Sequence, residues 1–241
     1  MQDAHIRVTF DQALEGVLAQ LMKLGGLVEA ALLDAAEALE RRDQAQAEAV
    51  RAGDAAIDAL EEAIQTECAM ILALQAPAAR DLRLVLSIMR IAAALERSGD
   101  YAKNLAKRTL VLLHMPAIGA SGGAIRRMAK AVVAMLSDAL DAHVARDLAR
   151  AEEVRQRDVE VDQLYNALFR EFLTYMMEDP RNITACMHLH FIAKNIERVG
   201  DHATGIAEQV IYLVSGEMPG DERPKADPTL VPGPMQREGR E

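Results

Sequence analysis

Tryptophan is absent from the 241 residues, and four Phe with four Tyr leave aromatics at 3%. Sheets draw on aromatic and β-branched side chains for their half-buried faces, so this scarcity excludes a mainly β fold. Cysteine is nearly absent too. Cys68 and Cys186 have no framework spacing, which excludes a disulfide scaffold and fits a reducing compartment. Positive charge is in deficit, 27 Lys and Arg against 37 Asp and Glu, a formal charge of -10. Tracking a nucleic-acid backbone requires a basic surface, so nucleic acid is excluded as a partner. No N-terminal apolar core precedes a cleavage site, and no run of about 18 apolar residues is read as a membrane span; a soluble, cytoplasmic protein is expected.

What is abundant points one way. Hydrophobic residues make up 51% of the chain, rich in Ala and Leu, which is the composition of long packed helices. The expected fold is all-α. From Phe10 to Arg42, the positions Leu14, Leu18, Leu21, Val28, Leu32 and Leu39 recur at helical spacing, with Gly25-Gly26 marking a bend or a close helix contact. Asp43 reads as the N-cap of a second helix that runs to Gln75, and Pro77 ends it. A third helix spans 79–114. The cluster from Met115 to Gly123 is the strong internal break.

After that break the pattern restarts. Residues 28–62 align with 132–166 without a gap, identical at sixteen of thirty-five positions. Self-similarity at a fixed offset signals a duplicated unit. Each unit is predicted to be an up-down-up bundle of three helices, each about 45 Å long. The predicted organisation is a first unit at 10–115, a linker at 116–123, a second unit at 124–215, and a disordered, proline-rich tail at 216–241.

The chemistry lies in acid pairs. Glu96-Arg97-Ser98-Gly99-Asp100 returns as Glu197-Arg198-Val199-Gly200-Asp201. In each copy the two acids are four residues apart and lie on one helix face. Counting back at about 100° per residue, that face also carries Leu82, Val85, Met89 and Ala92, so it is predicted to be the buried one. The second helix of each unit adds Asp54 with Asp58, and Asp158 with Asp162. With matching heights, each unit gathers four carboxylates at one helix interface. Burying unpaired carboxylates costs several kcal/mol, so a cation is required.

Two cations compete for that role. Oxygen-only donors suit magnesium, manganese, calcium or iron better than zinc, which makes Asp54, Asp58, Glu96, Asp100, Asp158, Asp162, Glu197 and Asp201 candidate metal ligands. Alternatively Arg83, Arg90 and Arg97, seven residues apart, pair with the acids. The Glu-x-x-His pattern of di-iron bundles is missing, because Gly99 and Gly200 stand where histidine would. His188 and His190 read as core or boundary residues, and Cys68 and Cys186 as small core residues. The Gly119–Gly123 segment lacks the Lys-Ser/Thr of a nucleotide loop and reads as linker. With no nucleophile and base at motif spacing, an interaction protein is favoured over a carboxylate-metal enzyme or a passive scaffold.

These features together resemble the PhoU family, over about residues 10–215. The resemblance is carried by Met22-Lys23-Leu24-Gly25-Gly26-Leu27-Val28-Glu29, Asp81-Leu82-Arg83-Leu84-Val85, Thr174-Tyr175-Met176-Met177-Glu178-Asp179 and both Glu-Arg-x-Gly-Asp copies. It implies a cytoplasmic, non-enzymatic homodimer that binds divalent or trivalent metal ions (magnesium, manganese, iron or zinc) on the eight motif acids. It also implies two partners, the phosphate transporter's ATPase subunit PstB and the sensor histidine kinase PhoR, with the membrane reached only through partner proteins. Through them the family holds down phosphate uptake and the phosphate-starvation response.

Overall fold

The computed structural model describes residues 2–220. Six helices follow in order: α1 Gln2–Arg41, α2 Gln44–Gln75, α3 Ala79–Leu112, α4 Ser121–Ala145, α5 Leu148–Glu178 and α6 Ile183–Ser215, with a 3-10 turn at Pro180–Asn182. There is no strand among the described residues. Residues 221–241, most of the tail expected to be disordered, lie outside the described residues.

The first two helices of each unit meet at the same device. Arg42 and Arg146 both adopt the left-handed conformation at φ 56°, and the next residue's N–H reaches back into the preceding helix, Asp43 to Ala38 O at 2.9 Å and Asp147 to Ala142 O at 3.0 Å. This Schellman-type ending satisfies carbonyls that the helix leaves open. The same aspartates then cap the following helix, Asp43 accepting from Gln46 N and Asp147 from Ala149 N and Arg150 N. Two residues thus close one helix and open the next, which forces neighbours to run antiparallel.

Helices α1, α2 and α3 pack on one another, as do α4, α5 and α6, and the halves join through α1 on α4 and α3 on α6. The core is therefore a layer of α1, α3, α4 and α6, with α2 and α5 packed outside it. Its filling is aliphatic: Leu21, Leu24, Leu32, Ile88, Ile91, Leu95, Leu105 and Ile125 are fully buried, and α5 adds the fully buried ring of Phe172. Gly25 supplies the close helix contact anticipated for its pair, since a Cβ there would stand 2.4 Å from Leu140 Cδ1 on α4. The helix passes through Gly25-Gly26 without interruption.

Three expectations change. Phe10–Arg41 does meet the length and apolarity needed to cross a bilayer. Its Val17, Leu21, Leu24, Val28 and Leu32 are buried within the protein, so tertiary packing accounts for that apolarity. The linker is shorter than predicted, because Ser121, Gly122 and Gly123 form the first turn of α4. Leu82 is 37% exposed near the start of α3, and Met89, Glu96 and Asp100 are half-buried, so the acid-bearing face is buried only in part, at Val85 and Ala92.

Candidate functional site

Glycine sets the spacing at which α2 meets α3. A Cβ on Gly99 would stand 3.0 Å from both Cδ1 and Cγ2 of Ile57, so only glycine lets the backbone come this close. Gly200 does the same for α6 on α5, with Val161 Cγ1 at 3.3 Å and Asp158 Oδ1 at 3.5 Å from its Cβ position. The glycine of Glu-Arg-x-Gly-Asp therefore brings the acids of two helices together.

In the first half Asp54 points inward and is 4% exposed. Its Oδ2 accepts a short hydrogen bond from the Lys103 ammonium, which also lies 3.5 Å from Asp100. Lys103 is held above the usual lysine range, chiefly by that bond to Asp54. Around it stand Asp58, Glu61 and Glu96. Shielding from water raises the Glu96 carboxyl above its ordinary range, and repulsion from Asp100, Asp58 and Glu61 adds to it. Asp58 is raised too, by desolvation first and then by repulsion from Asp54, which the Lys103 ammonium partly offsets. Asp54 Oδ1 is buried with no hydrogen-bond partner among the described residues.

In the second half Asp158 is the inward acid, 7% exposed. Glu197 bonds Lys194 at 2.7 Å, and its carboxyl is raised by burial, with Asp201 and Asp162 adding repulsion. Glu197 Oε2 is a second buried oxygen with no partner among the described residues. The Lys194 ammonium lies 5.1 Å from the ring centre of Tyr165.

The eight predicted acids thus lie four to each of two helix interfaces, near enough to repel one another, and are unequally sheltered. Asp54 and Asp158 are buried; Glu96, Asp100, Asp162, Glu197 and Asp201 are half-buried; Asp58 is exposed. The expectation that the Glu96/Asp100 face is the buried one holds only in part, since both acids and their counterparts Glu197 and Asp201 are half-buried, while one acid of each α2 or α5 pair is buried. A step of 40° around the helix carries its partner to the rim. Arginine is near the first group without bonding it: Arg97 offsets part of the rise of the Glu96 carboxyl. Among the described residues Arg83, Arg90 and Arg97 form no ion pair with Glu96 or Asp100, and Arg90 donates instead to Gln209 Oε1 at 3.2 Å. The residues missed are the lysines and Glu61. Lys103 follows Asp100 by three and Lys194 precedes Glu197 by three, spacings that place a cation beside an acid on one helix face.

The donors suit a hard cation, being oxygen only, with two orphaned buried acceptors and raised carboxyls. Among the described residues no three His, Cys, Asp or Glu side chains are gathered for a metal ion, and an ammonium stands beside each group. Away from the acids, His188 Nδ1 meets Arg108 at 3.3 Å, and His190 packs 5.2 Å from the Phe169 ring centre. Two Ser–His contacts join helices: Ser87 Oγ to His143 Nε2 at 2.9 Å and Ser98 Oγ to His202 Nδ1 at 3.0 Å. Ser87 is fully buried, and burial lowers His143 to about 4, so it is neutral at physiological pH. The pair is a packing contact closed to substrate.

Fold and site define a class: a duplicated three-helix bundle with an acidic cluster at each outer helix pair and no open catalytic constellation among the described residues. A family model described as the PhoU domain matches twice, at residues 21–109 and 125–210. The chain belongs to the PhoU family. It is 45% identical over 223 residues to a phosphate-specific transport system accessory protein PhoU homolog of Caulobacter vibrioides, spanning 92% of this chain and 97% of that one. A Rhizobium meliloti relative of the same description is 42% identical over 233 residues, covering 97% and 98%. The crystal structure of PhoU from Pseudomonas aeruginosa superposes with a TM-score of 0.83 at 41% identity, covering 86% of this chain and all of that one. The phosphate transport system regulatory protein PhoU from Streptococcus pneumoniae gives 0.81 at 33%, covering 88% and 99%.

Proposed function

We propose that this protein is an accessory regulator of phosphate-specific transport that acts by binding rather than by catalysis. The observation that carries the reading is near full-length similarity to relatives so described, in sequence and in fold. Its two acidic clusters are the sites through which it responds to its surroundings. A divalent or trivalent metal ion, of the magnesium, manganese, iron or zinc class, would supply the positive charge these groups lack. Asp54, Asp58, Glu96 and Asp100 would hold it in the first half, and Asp158, Asp162, Glu197 and Asp201 in the second. Lys103 and Lys194 compete for the same carboxylates, so their swinging away accompanies loading. Neutralising the clusters lowers the repulsion between a chain of charge -10 and a partner surface.

The partners proposed are a second copy of this chain in a cytoplasmic homodimer, the transporter ATPase subunit PstB and the sensor kinase PhoR, with the outcome that uptake and the starvation response are held down when phosphate is plentiful. Deleting the gene and scoring alkaline phosphatase at high phosphate tests the role: derepression is expected, and an unchanged low level overturns it. Metal analysis of purified protein tests the clusters separately. Retention of metal that is lost on converting Asp100 and Asp201 to Ala is expected; a metal-free protein with unaltered melting on adding manganese would leave the lysine-closed clusters as purely structural.

A further inference from the structure

Duplication gives most side chains of one half a counterpart in the other, and the outer groove between the first two helices of each unit is where the counterparts diverge. In the second half Arg157 of α5 reaches across to α4, its Nη1 donating to Asp138 Oδ2 at 2.5 Å. In the gapless alignment of residues 28–62 with 132–166, Asp138 corresponds to Asp34, but Arg157 corresponds to Gly53. Both halves have the acid, and only one has its cation.

In the first half that place is a cavity of about 210 Å³ between α1 and α2. Buried Val50 and Ile57 form its floor with half-buried Leu27, and Asp34 and Gln46 close the end nearest the α1–α2 turn. A Cβ on Gly53 would meet nothing within 4 Å, so the wall where Arg157 would stand is open. Glycine is a poor helix former, and at this position it is the missing side chain that leaves the groove unfilled. No basic residue lines it among the described residues. Further along α1 the acids are already matched, Glu37 with Arg41 at 2.8 Å and Glu40 with Arg126 at 2.7 Å. Asp34 forms no ion pair among the described residues; it accepts from Gln46 Nε2 at 3.2 Å.

We propose that this groove docks an arginine side chain of a partner protein of different sequence, its guanidinium on Asp34 and its methylenes along Val50 and Ile57. The Arg157–Asp138 pair shows the chemistry of the occupant on the equivalent helices of the same chain. A planar guanidinium bonds both oxygens of one carboxylate, which a single ammonium does not match. The stem of an arginine covers apolar surface while its head stays at the rim, which fits a floor of aliphatic side chains ending at an exposed acid. Charge complements shape, since a chain of charge -10 draws in a partner surface that presents arginine. The groove uses none of the eight cluster acids, so docking here requires no metal.

The test uses the full chain with 13C-methyl-labelled isoleucine, read by NMR at Ile57. The probe is the capped tripeptide acetyl-Leu-Arg-Leu-amide, set against its lysine counterpart and against agmatine, a free guanidinium compound. A saturable shift at Ile57 is expected with the arginine peptide, at a dissociation constant of about 1 mM, and binding about threefold or more weaker with the other two. Gly53→Arg, which supplies the absent side chain from within, is expected to abolish the shift and to raise the melting temperature by about 2 °C or more. Asp34→Asn is expected to weaken binding about fivefold or more, and Gly53→Ala, which leaves the groove open, by no more than about twofold. No saturable shift at about 10 mM peptide overturns the proposal, as does binding that neither Gly53→Arg nor Asp34→Asn weakens. An equal response to the lysine peptide or to agmatine overturns it too, because the groove would not then select arginine on a protein. Sedimentation addresses the remaining occupant: the same association state is expected for the wild type, Gly53→Ala and Gly53→Arg, and a self-association lost only in Gly53→Arg would give the site to a second copy of this chain and overturn the assignment to a different protein.

Discussion

The two halves solve one electrostatic problem with cations at different positions. Position 103, where the first half has its lysine, is Thr204 in the second, and the position of Lys194 is Ala93 in the first. In the first cluster the ammonium sits after Asp100 and reaches across to α2, pairing with buried Asp54. In the second it sits before Glu197, bonds that residue, and rests on Tyr165, which replaces Glu61. What the duplicated bundle preserves is the acids and the glycine that crowds them together. The counter-charge is a demand of the cluster, met from whichever turn of the helix offers it.

The largest expected asymmetry comes from removing the lysines. Lys103→Met strips the partner from an aspartate that is 4% exposed and is expected to cost about 2 kcal/mol at pH 7, less than a fully buried pair because the ammonium is partly solvated. Lys194→Met is expected to cost about 1 kcal/mol, since Glu197 is already raised and can take up a proton. Equal losses in urea titrations would break the comparison. Next comes the glycine. Gly99→Ala drives a Cβ against two Ile57 methyl groups and is expected to lose about 1 to 2 kcal/mol after the helix-propensity gain, whereas Gly200→Ala, with slightly more room, stays within about 0.5 kcal/mol.

The pH dependence is smaller and has the same sign in both halves. Asp58, Glu96 and Glu197 are raised in the folded state, so the native protein binds more protons than the unfolded one between the ordinary carboxylate value and the raised one. Their contribution to stability therefore increases as pH falls from neutral through that window, and is complete below the unfolded value. Glu96→Gln with Glu197→Gln is expected to stabilise the apo protein slightly at pH 7 and to flatten this part of the stability–pH curve. A double variant that leaves the slope intact would mean other groups set it. The finest test transplants the cation: in a Lys103→Thr background, Ala93→Lys is expected to recover part of the loss, about 0.5 kcal/mol or less, because the new ammonium meets Glu96 but cannot reach Asp54 as directly.

Much of this was legible in the chain. Helix ends at Gln75 and the cap at Asp43 follow from Pro77 and from side-chain oxygens that act within one turn. The duplication follows from identity at a constant offset. That the acids of α2 and α3, and of α5 and α6, come near one another was legible as well, since helices joined by short turns run antiparallel side by side. Less legible were Lys103 and Lys194, overshadowed by a more regular arginine stripe, and the Ser87–His143 and Ser98–His202 contacts, whose partners are 56 and 104 residues apart and share no motif. Gly122 and Gly123 read as linker because glycine is common there; their place inside α4 depends on packing against Glu40.

By itself the sequence determined an all-helical, twice-built chain with four acids per unit, because periodicity, capping and repetition act locally or at a fixed offset. Only the tertiary structure decided that Asp54 is buried while Asp58, one turn away, faces water, that a lysine pairs with one acid of each group, and that the start of α4 opens into a cavity. Those outcomes depend on how closely two helices approach and at what rotation, and a shift of a few ångströms or 40° around an axis reverses them without altering any local pattern.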